Sequence, residues 1–235
     1  MTAALNLLKR KNERIAKALI PVKAKRSRSG ENGGVMNHAI DNLMKEHQLI
    51  LRVLASFNSL AGELRNGRSV SRRDVADFVS FFREFADKCH HVKEEDCLFV
   101  AMNQIGFARE SGPIAVMLSE HTAGRSLVRA LWEMAQLPGP LTAGEVRRII
   151  AGVSEFVPLL SGHIGKEDNI LYPMARSAIP GEQLLKLDAD CEAFERRAMA
   201  PGEVAKLHEL AARLIAAYPA DSKQFETIAA GFSCH

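Results

Sequence analysis

The stretch Cys89-His90-His91-Val92-Lys93-Glu94-Glu95-Asp96-Cys97-Leu98-Phe99 decides how this chain folds. His90 stands four residues before Glu94, so the two side chains share one face if the stretch is helical. Apolar residues precede His90 on that face, at Phe82 and Ala86. An imidazole and a carboxylate are therefore expected to point together from this helix into an apolar interior.

Related arrangements occur at three other places in the chain. Residues 163–167 repeat the spacing with His163 and Glu167, and two further histidines, each preceded by glutamate, stand at His47 and His121. His47 and His90 are 43 residues apart, and His121 and His163 are 42 apart, so the sequence contains two similar halves. Imidazoles and carboxylates that converge from four helices are typical of a metal site.

Helical periodicity connects the first two of these positions. Apolar residues recur around His47 at offsets of three, four and seven, as far as the turn signal Asn66-Gly67. Ser71, with Asp74 three residues later, is the expected N-cap of a second helix that runs to His90. Each arm of this hairpin, from turn to histidine, is 19 residues long, or about 28 Å. An antiparallel hairpin would therefore bring the two histidines to the same height.

A second hairpin is expected to follow. Pro113 stands early in the third helix, Pro138-Gly139-Pro140 ends it, and Thr142-x-x-Glu145 is a capping box for the fourth helix. Further helical material at 182–218, interrupted near Pro201-Gly202, is expected to pack outside the bundle. The chain shows no strand alternation. The predicted fold is all-α, an up-down four-helix bundle (35–178) with a basic N-terminal arm (1–34) and a C-terminal helical extension (179–235).

Composition limits the class of protein. The chain has 235 residues, 47% hydrophobic and 25% charged, which fits one sizeable domain with short additions. No apolar run approaches the roughly 20 residues that span a bilayer, and the four cysteines lack framework spacing, so a reducing cytoplasm is expected. Residues 1–34 carry a net charge of +7 and the remainder −4. This arm could contact nucleic acid or an anionic surface, but a solvated tail is the favoured interpretation.

The candidate ligands favour two metal ions over one. They comprise four imidazoles and two carboxylates, namely His47, His90, Glu94, His121, His163 and Glu167. This set is too large for a single tetrahedral zinc, and it contains no thiolate. It suits a pair of first-row ions bridged by the two carboxylates, with iron favoured and manganese or zinc as alternatives.

His91 and Glu95 form a rival pair, since they also stand four residues apart. The residues below His91 on its helical stripe are charged, which predicts a solvated face: Glu84, Asp87 and Lys88. His90 and Glu94 are therefore expected inside, and aligning 93–99 with 166–172 gives the same register. Whether His91 and Glu95 replace or assist the inner pair stays open. Three other histidines are expected at the surface: His38, His208 and His235.

Together, these motifs resemble the hemerythrin-like family, also called the HHE cation-binding domain, over roughly residues 37–178. The resemblance implies a four-helix bundle around a non-heme di-iron centre that binds O2, NO or a related small molecule. Oxygen carriers of this family have a second histidine where this chain has Arg125. They also end with an aspartate at the position of Asp168, whereas Glu167 better matches the wider family. The four-histidine set looks more like the di-iron proteins of iron–sulfur cluster repair. Those proteins, however, carry a separate cysteine-bearing N-terminal domain, and no cysteine precedes Cys89 here.

Three functions follow as hypotheses. The first is a binding or sensing module for O2 or NO, and the second is a redox enzyme acting on peroxide, NO or O2, with Tyr172 and Cys97 as candidate donors of a proton or an electron. The third is an iron-handling protein that docks through its basic arm. A ferritin-like site is not favoured, because such sites use Glu-x-x-His. Gly162 and Gly165 bracket His163 and indicate either a close helix approach or a ligand channel.

Overall fold

The computed structural model describes residues 38–231, and the regular structure in this range is helical throughout. The first two helical segments are α1 (His38–Arg65) and a long segment (72–104) made of α2 (Arg72–Phe81), the π-helical stretches Phe82–His91 and Glu94–Leu98, and α3 (Phe99–Gln104). The next two are α4 (Gly112–Ala135) and a segment (143–178) made of α5 (Ala143–Lys166), the π-helical stretch Glu167–Leu171, and α6 (Tyr172–Ala178). The chain continues with α7 (Gly181–Ala198), α8 (Glu203–Ala217) and α9 (Ser222–Ala229). The all-α prediction is confirmed for this range, while the basic arm and His235 lie outside it.

The four long segments contact one another in a ring. α1 packs against α5, α5 against α4, α4 against α2, and the π-helical stretch Phe82–His91 closes the ring against α1. Two apolar cores fill the interior, one around Phe57 and Phe78 and the other around Phe99 and Leu171. Along each of the four segments, the predicted site residues lie between these two cores. The polar cluster is thus enclosed by apolar layers on both sides.

The helix boundaries follow the signals in the sequence. Ser71 Oγ accepts the backbone N–H of Asp74 at 3.0 Å, and Thr142 and Glu145 form the predicted capping box. Gly202 adopts φ 85° between α7 and α8, a left-handed conformation that favours glycine. Local chemistry therefore fixed where these helices begin and end.

The C-terminal helices pack on the outside of the bundle, as expected. α7 contacts α1 and both π-helical stretches of segment 72–104, α8 contacts α1 and α2, and α9 contacts α1 and α5. Gly231, the last described residue, lies beside Gly165, one of the two glycines next to His163. A Cβ on Gly165 would lie 3.8 Å from the Cα of Gly231, which is an ordinary van der Waals distance. The packing around Gly165 therefore leaves room for a methyl group and does not require glycine.

A candidate centre for two metal ions

Two histidine pairs meet in the middle of the bundle. The Nε2 atoms of His47 and His90 lie 2.9 Å apart, and those of His121 and His163 lie 3.0 Å apart. Each of the four side chains is at most 2% exposed. The hairpin prediction that His47 and His90 reach the same height is therefore correct.

The two predicted glutamates lie between the pairs. Glu167 Oε2 is 3.3 Å from His47 Nε2 and 3.2 Å from His163 Nε2. Glu94 Oε2 is 3.7 Å from His90 Nε2 and 3.5 Å from His121 Nε2. Each carboxylate thus contacts one histidine of each pair. Both are fully buried, and three of their oxygens accept no hydrogen bond: Glu94 Oε2, Glu167 Oε1 and Glu167 Oε2.

A second set of carboxylates orients the four imidazoles from behind. Every outer ring nitrogen bonds one acidic side chain: His47 Nδ1 to Asp168 at 2.7 Å, His90 Nδ1 to Glu46 at 2.8 Å, His121 Nδ1 to Glu95 at 2.7 Å, and His163 Nδ1 to Glu120 at 3.0 Å. An ionised carboxylate only accepts, so each Nδ1 carries the hydrogen and donates it. In the neutral ring, the Nε2 lone pair then faces the centre, as in carboxylate–histidine–metal triads.

Two of the backing carboxylates, Glu46 and Glu120, were not predicted as functional residues, although a signal was present. Glu46 precedes His47 and Glu120 precedes His121 in the sequence, but each bonds the histidine of the neighbouring helix. Their remaining oxygens accept from lysines that precede the inner glutamates: Lys93 Nζ lies 2.5 Å from Glu46, and Lys166 Nζ lies 2.5 Å from Glu120. The Glu-His and Lys-Glu dipeptides, which occur in both halves of the sequence, were the signal from which this network could have been predicted.

The electrostatics of the centre favour positive charge. Burial lowers the pKa of His47, but the hydrogen bond to Asp168 and the adjacent Glu167 carboxylate outweigh this effect and raise the pKa to about 9. Burial likewise lowers the pKa of His163, but the charge of Glu167 and the hydrogen bond to Glu120 raise it to about 10. Burial would raise the pKa of Glu167, yet the adjacent His163 and His47 hold it well below its ordinary value. The ionised form of Glu167 is therefore stabilised by cationic neighbours.

A fifth imidazole joins the cluster, and the expectation of a solvated face for His91 is wrong. His91 is 7% exposed, and its ring stacks on that of His121 with centroids 4.1 Å apart. The reason is the π-helical stretch Phe82–His91, where each turn holds an extra residue and the α-helical stripe no longer applies. His91 Nδ1 has no hydrogen-bond partner, and burial together with His121 lowers the pKa of the ring to about 3.

The structure also gives the positions of Arg125 and of two histidines that were expected at the surface. Arg125, at the place of the second carrier histidine, donates to Asp87 at 2.7 Å and to Glu95 at 2.9 Å, so it supports the carboxylate behind His121. His208 is half-buried, with its ring 5.6 Å from that of Phe85, rather than at the surface. His38 is exposed, as predicted.

The two candidate proton or electron donors differ in their access to the centre. Tyr172 is fully buried, its ring stacks on His47 at 5.4 Å, and its hydroxyl donates to Glu94 Oε1 at 2.6 Å. Burial and the charge of Glu94 raise the pKa of this hydroxyl well above its ordinary value, so the proton is held firmly. Cys97 instead interacts with the thiol of Cys191 on α7. Tyr172 alone of the two contacts the cluster.

The donor set fits a pair of metal ions. With metal–nitrogen bonds of about 2.1 Å, two ligands at a right angle lie about 3.0 Å apart, close to the separations within the two histidine pairs. Ligand atoms within 4.8 Å of one another form two groups: His47, His90, Glu94 and Glu167 in one, and His91, Glu94, His121 and His163 in the other. Two ions would also supply partners for the three carboxylate oxygens that accept no hydrogen bond.

The fold and the site together define a helical-bundle protein with a buried centre for metal ions. The chain belongs to the hemerythrin family, since the model of the hemerythrin HHE cation-binding domain matches residues 38–175. It is similar to proteins named iron–sulfur cluster repair protein YtfE. The identity is 31% over 115 residues with that of Edwardsiella ictaluri, covering 48% of this chain and 52% of that protein.

Identity with the YtfE proteins of Salmonella paratyphi B and Salmonella newport is 36% over 89 residues, covering 37% of this chain and 40% of each relative. The chain thus spans about half the length of these curated relatives, or less. No solved structure gave a significant match. Among residues 38–231, no helix combines the length and apolar character needed to span a membrane.

Proposed function

We propose that this chain is a non-heme di-iron protein. His47 and His90 would hold one ion, His121 and His163 would hold the other, and Glu94 and Glu167 would supply carboxylate ligands shared between the two. The observation that carries the proposal is the pair of buried glutamates, each in contact with one histidine of either pair. Imidazole and carboxylate ligands suit iron, and manganese or zinc are the alternatives that elemental analysis would reveal.

The bound ligand is proposed to be O2, NO or peroxide, in sensing, storage or a stress response. An iron pair supplies Lewis-acid and redox positions for such molecules. The chain supplies the arrangement around it: the backing carboxylates fix the imidazole tautomers, and apolar cores lie on both sides of the centre. Tyr172 holds a proton at Glu94 Oε1, beside the centre.

A redox enzyme and a protein of iron–sulfur cluster repair are the alternative proposals. The repair function is supported by the names of the similar proteins, although the matches cover 52% and 40% of those relatives. A cytoplasmic location is proposed alongside, on the cysteine usage. Contact of residues 1–34 with nucleic acid or an anionic surface is a lesser proposal, based on the charge of the arm alone.

Metal analysis of the freshly purified chain tests the proposal. Mössbauer spectroscopy with elemental analysis is expected to find about two iron ions per chain, as two bridged sites would require. Alanine replacements at His47, His90, His121 and His163 should each reduce this stoichiometry, whereas alanine at the exposed His38 should not. Unchanged metal content in all four variants would contradict the proposal.

The function is then separated by reaction with small molecules. Anaerobic reduced protein is mixed with NO, O2 or hydrogen peroxide and followed by absorption spectroscopy. Reversible, stoichiometric binding supports the sensing or storage proposal, and continuous consumption under steady reductant supports an enzyme. Restored activity of an NO-damaged iron–sulfur enzyme on incubation with the protein supports repair.

A further inference from the structure

A cavity of about 280 Å³ opens beside only one half of the centre. It lies between segment 72–104, α4 and α5, and its inner end is formed by His91, His121 and His163. The histidines of the other pair, His47 and His90, do not line it, and Tyr172 and the adjacent core cover their side. The two halves of the centre therefore differ in access.

One face of α4 forms the long wall of the cavity. Residues at helical spacing run along this face from the centre outward: His121, Gly124, Arg125, Val128, Arg129 and Trp132. Eleven residues separate the first from the last, which is about 16 Å of helix. The facing wall includes Phe82 and Phe156, whose rings pack edge to face with centroids 4.9 Å apart. The space is thus elongated and mainly apolar between its ends.

The charges at the outer end are positive. The cavity is lined by three arginines and two acids, and both acids are already bonded: Asp87 to Arg125, and Glu120 to His163 and Lys166. Within residues 38–231, Arg83 and Arg129 have no acidic partner. The Arg83 guanidinium lies 4.3 Å over the ring of Trp132. Two arginines without an acidic partner therefore line the cavity, and the guanidinium of one of them, Arg83, lies beside Trp132.

We propose that this cavity binds a small amphipathic carboxylate. Its acid group pairs with Arg83 and Arg129, and its apolar body extends between Phe82, Val128 and Phe156 towards the centre. The volume leaves room for a small polyatomic ligand, because one water needs only about 10–15 Å³ and the cavity of about 280 Å³ is close to the lower limit of ligand pockets, about 300 Å³. Arginine is the side chain suited to bidentate recognition of a carboxylate. This inference rests on the proposed function in one respect. In a metal-loaded centre, the far end of the carboxylate would lie beside two of the metal ligands, His121 and His163.

Trp132 is the only tryptophan in the chain, so its fluorescence reports directly on this cavity. The purified, metal-loaded full chain is titrated with hexanoate, with its neutral analogue hexanamide, and with hexylammonium. We expect a saturable change in tryptophan emission with hexanoate and about tenfold weaker binding of hexanamide, because a charge-assisted hydrogen bond is lost. Hexylammonium should not bind. Equal binding of hexanoate and hexanamide would overturn the proposal.

Variants test the position of the ligand, with titration calorimetry as a second measurement. Gly124→Leu should abolish hexanoate binding, because a Cβ there meets only Phe156 at 3.9 Å and the longer side chain enters the cavity. Gly62→Leu, on α1 and outside the cavity, is the matched control. The double variant Arg83→Gln/Arg129→Gln should weaken hexanoate binding about tenfold without filling the space, whereas Arg148→Gln, on the exposed face of α5, should not. Unchanged binding by both cavity variants would refute the assignment.

The same titration, run together with the metal analysis of the purified chain, separates this inference from the proposed function. If the purified chain holds no metal but still binds hexanoate with these preferences, the di-iron proposal fails and the carboxylate site stands. If two iron ions are present and hexanoate does not bind, the carboxylate site fails and the di-iron proposal stands.

Discussion

At the scale of single residues, the geometry of the site is set by the side chains behind the ligands. Glu46 accepts from both His90 and Lys93, and it thereby fixes the tautomer and the direction of one imidazole. Glu46→Gln would replace an acceptor with an amide that can also donate. We expect the affinity for metal to fall about 10- to 100-fold, the usual cost of losing an outer-shell partner. Competition with a chromogenic chelator measures this change.

The matched control for this variant is Glu63→Gln. Glu63 pairs with the exposed Arg68 at the surface of the bundle and is far along α1 from the centre. Its affinity for metal should equal that of the wild type. Equal affinities for Glu46→Gln and Glu63→Gln would mean that the backing carboxylate does not orient the ligand.

Tyr172 carries the second prediction at this scale. Its counterpart in the first half of the chain is Phe99, which stacks on His121 at 5.9 Å, so phenylalanine is compatible with the packing. Tyr172→Phe removes the hydrogen bond to Glu94 and should lower the free energy of unfolding by about 1–2 kcal/mol. It should also change the absorption spectrum of the metal-loaded protein. Denaturant unfolding and absorption spectroscopy measure the two effects.

The only other tyrosine in the chain provides the control. Tyr218 donates to Asp74 at 2.8 Å, among the residues of the core around Phe57 and Phe78. Tyr218→Phe should reduce stability by a similar amount and leave the spectrum unchanged. A spectrum that Tyr172→Phe leaves equally unchanged would show that the hydroxyl does not influence the centre.

At the scale of helices, local sequence signals predicted where a helix begins and ends better than they predicted which of its side chains point into the bundle. Ser71, Thr142 and Gly202 act within one turn, and the helices begin where these residues predicted. The face of segment 72–104 could not be read in the same way, because its π-helical stretches change the number of residues per turn. The charged residues that share an α-helical stripe with His91 therefore predicted a solvent-facing side chain, whereas His91 points into the bundle.

An ion pair between helices gives a pH-dependent prediction. Arg72 at the start of α2 donates to Glu145 at 3.0 Å and to the backbone carbonyls of 139 and 140, so it ties α2 to the loop before α5. The hydrogen bond from Arg72 lowers the pKa of Glu145 from 4.5 to about 2. A depressed folded-state pKa means that ionised Glu145 stabilises the fold above its ordinary pKa. This contribution is lost as the pH falls towards about 2.

Glu145→Gln should therefore be less stable than the wild type at neutral pH, and the difference should shrink between pH 4.5 and about pH 2. Thermal unfolding of both proteins across this range measures the difference, and acid effects on the metal centre cancel because both proteins share it. Glu203→Gln is the control, since Glu203 at the start of α8 accepts the backbone N–H of Ala200 and, among the described residues, forms no ion pair with another helix. A difference between wild type and Glu145→Gln that does not change with pH would contradict the assignment.

At the scale of the whole molecule, the two halves of the chain supply matching ligands and contacts, and a few positions differ between them. Phe99 corresponds to Tyr172 and Ile164 corresponds to His91, so one half of the centre has a hydroxyl and the other an additional imidazole. The cavity opens on the side of His91. The two halves of the chain thus provide matching ligands, but the centre is accessible from one side only.

Deletion of residues 1–34 tests the proposed domain boundary. All candidate ligands lie at position 47 or beyond, and the family match begins at residue 38. The shortened chain should therefore keep the same iron stoichiometry and the same absorption spectrum as the full chain. Loss of iron on deletion would place part of the centre's support within the arm, contrary to the boundary proposed here.

The sequence by itself determined the helical class, the helix ends and the four histidines and two glutamates that converge. These features depend on periodicity and capping, which act over at most a few turns. Only the tertiary structure decided which acid backs which imidazole, because these partners are 26 to 121 residues apart in the chain. It also decided the inward position of His91 and the one-sided cavity. Both depend on π-helical geometry and on the packing of neighbouring helices, which no local pattern specifies.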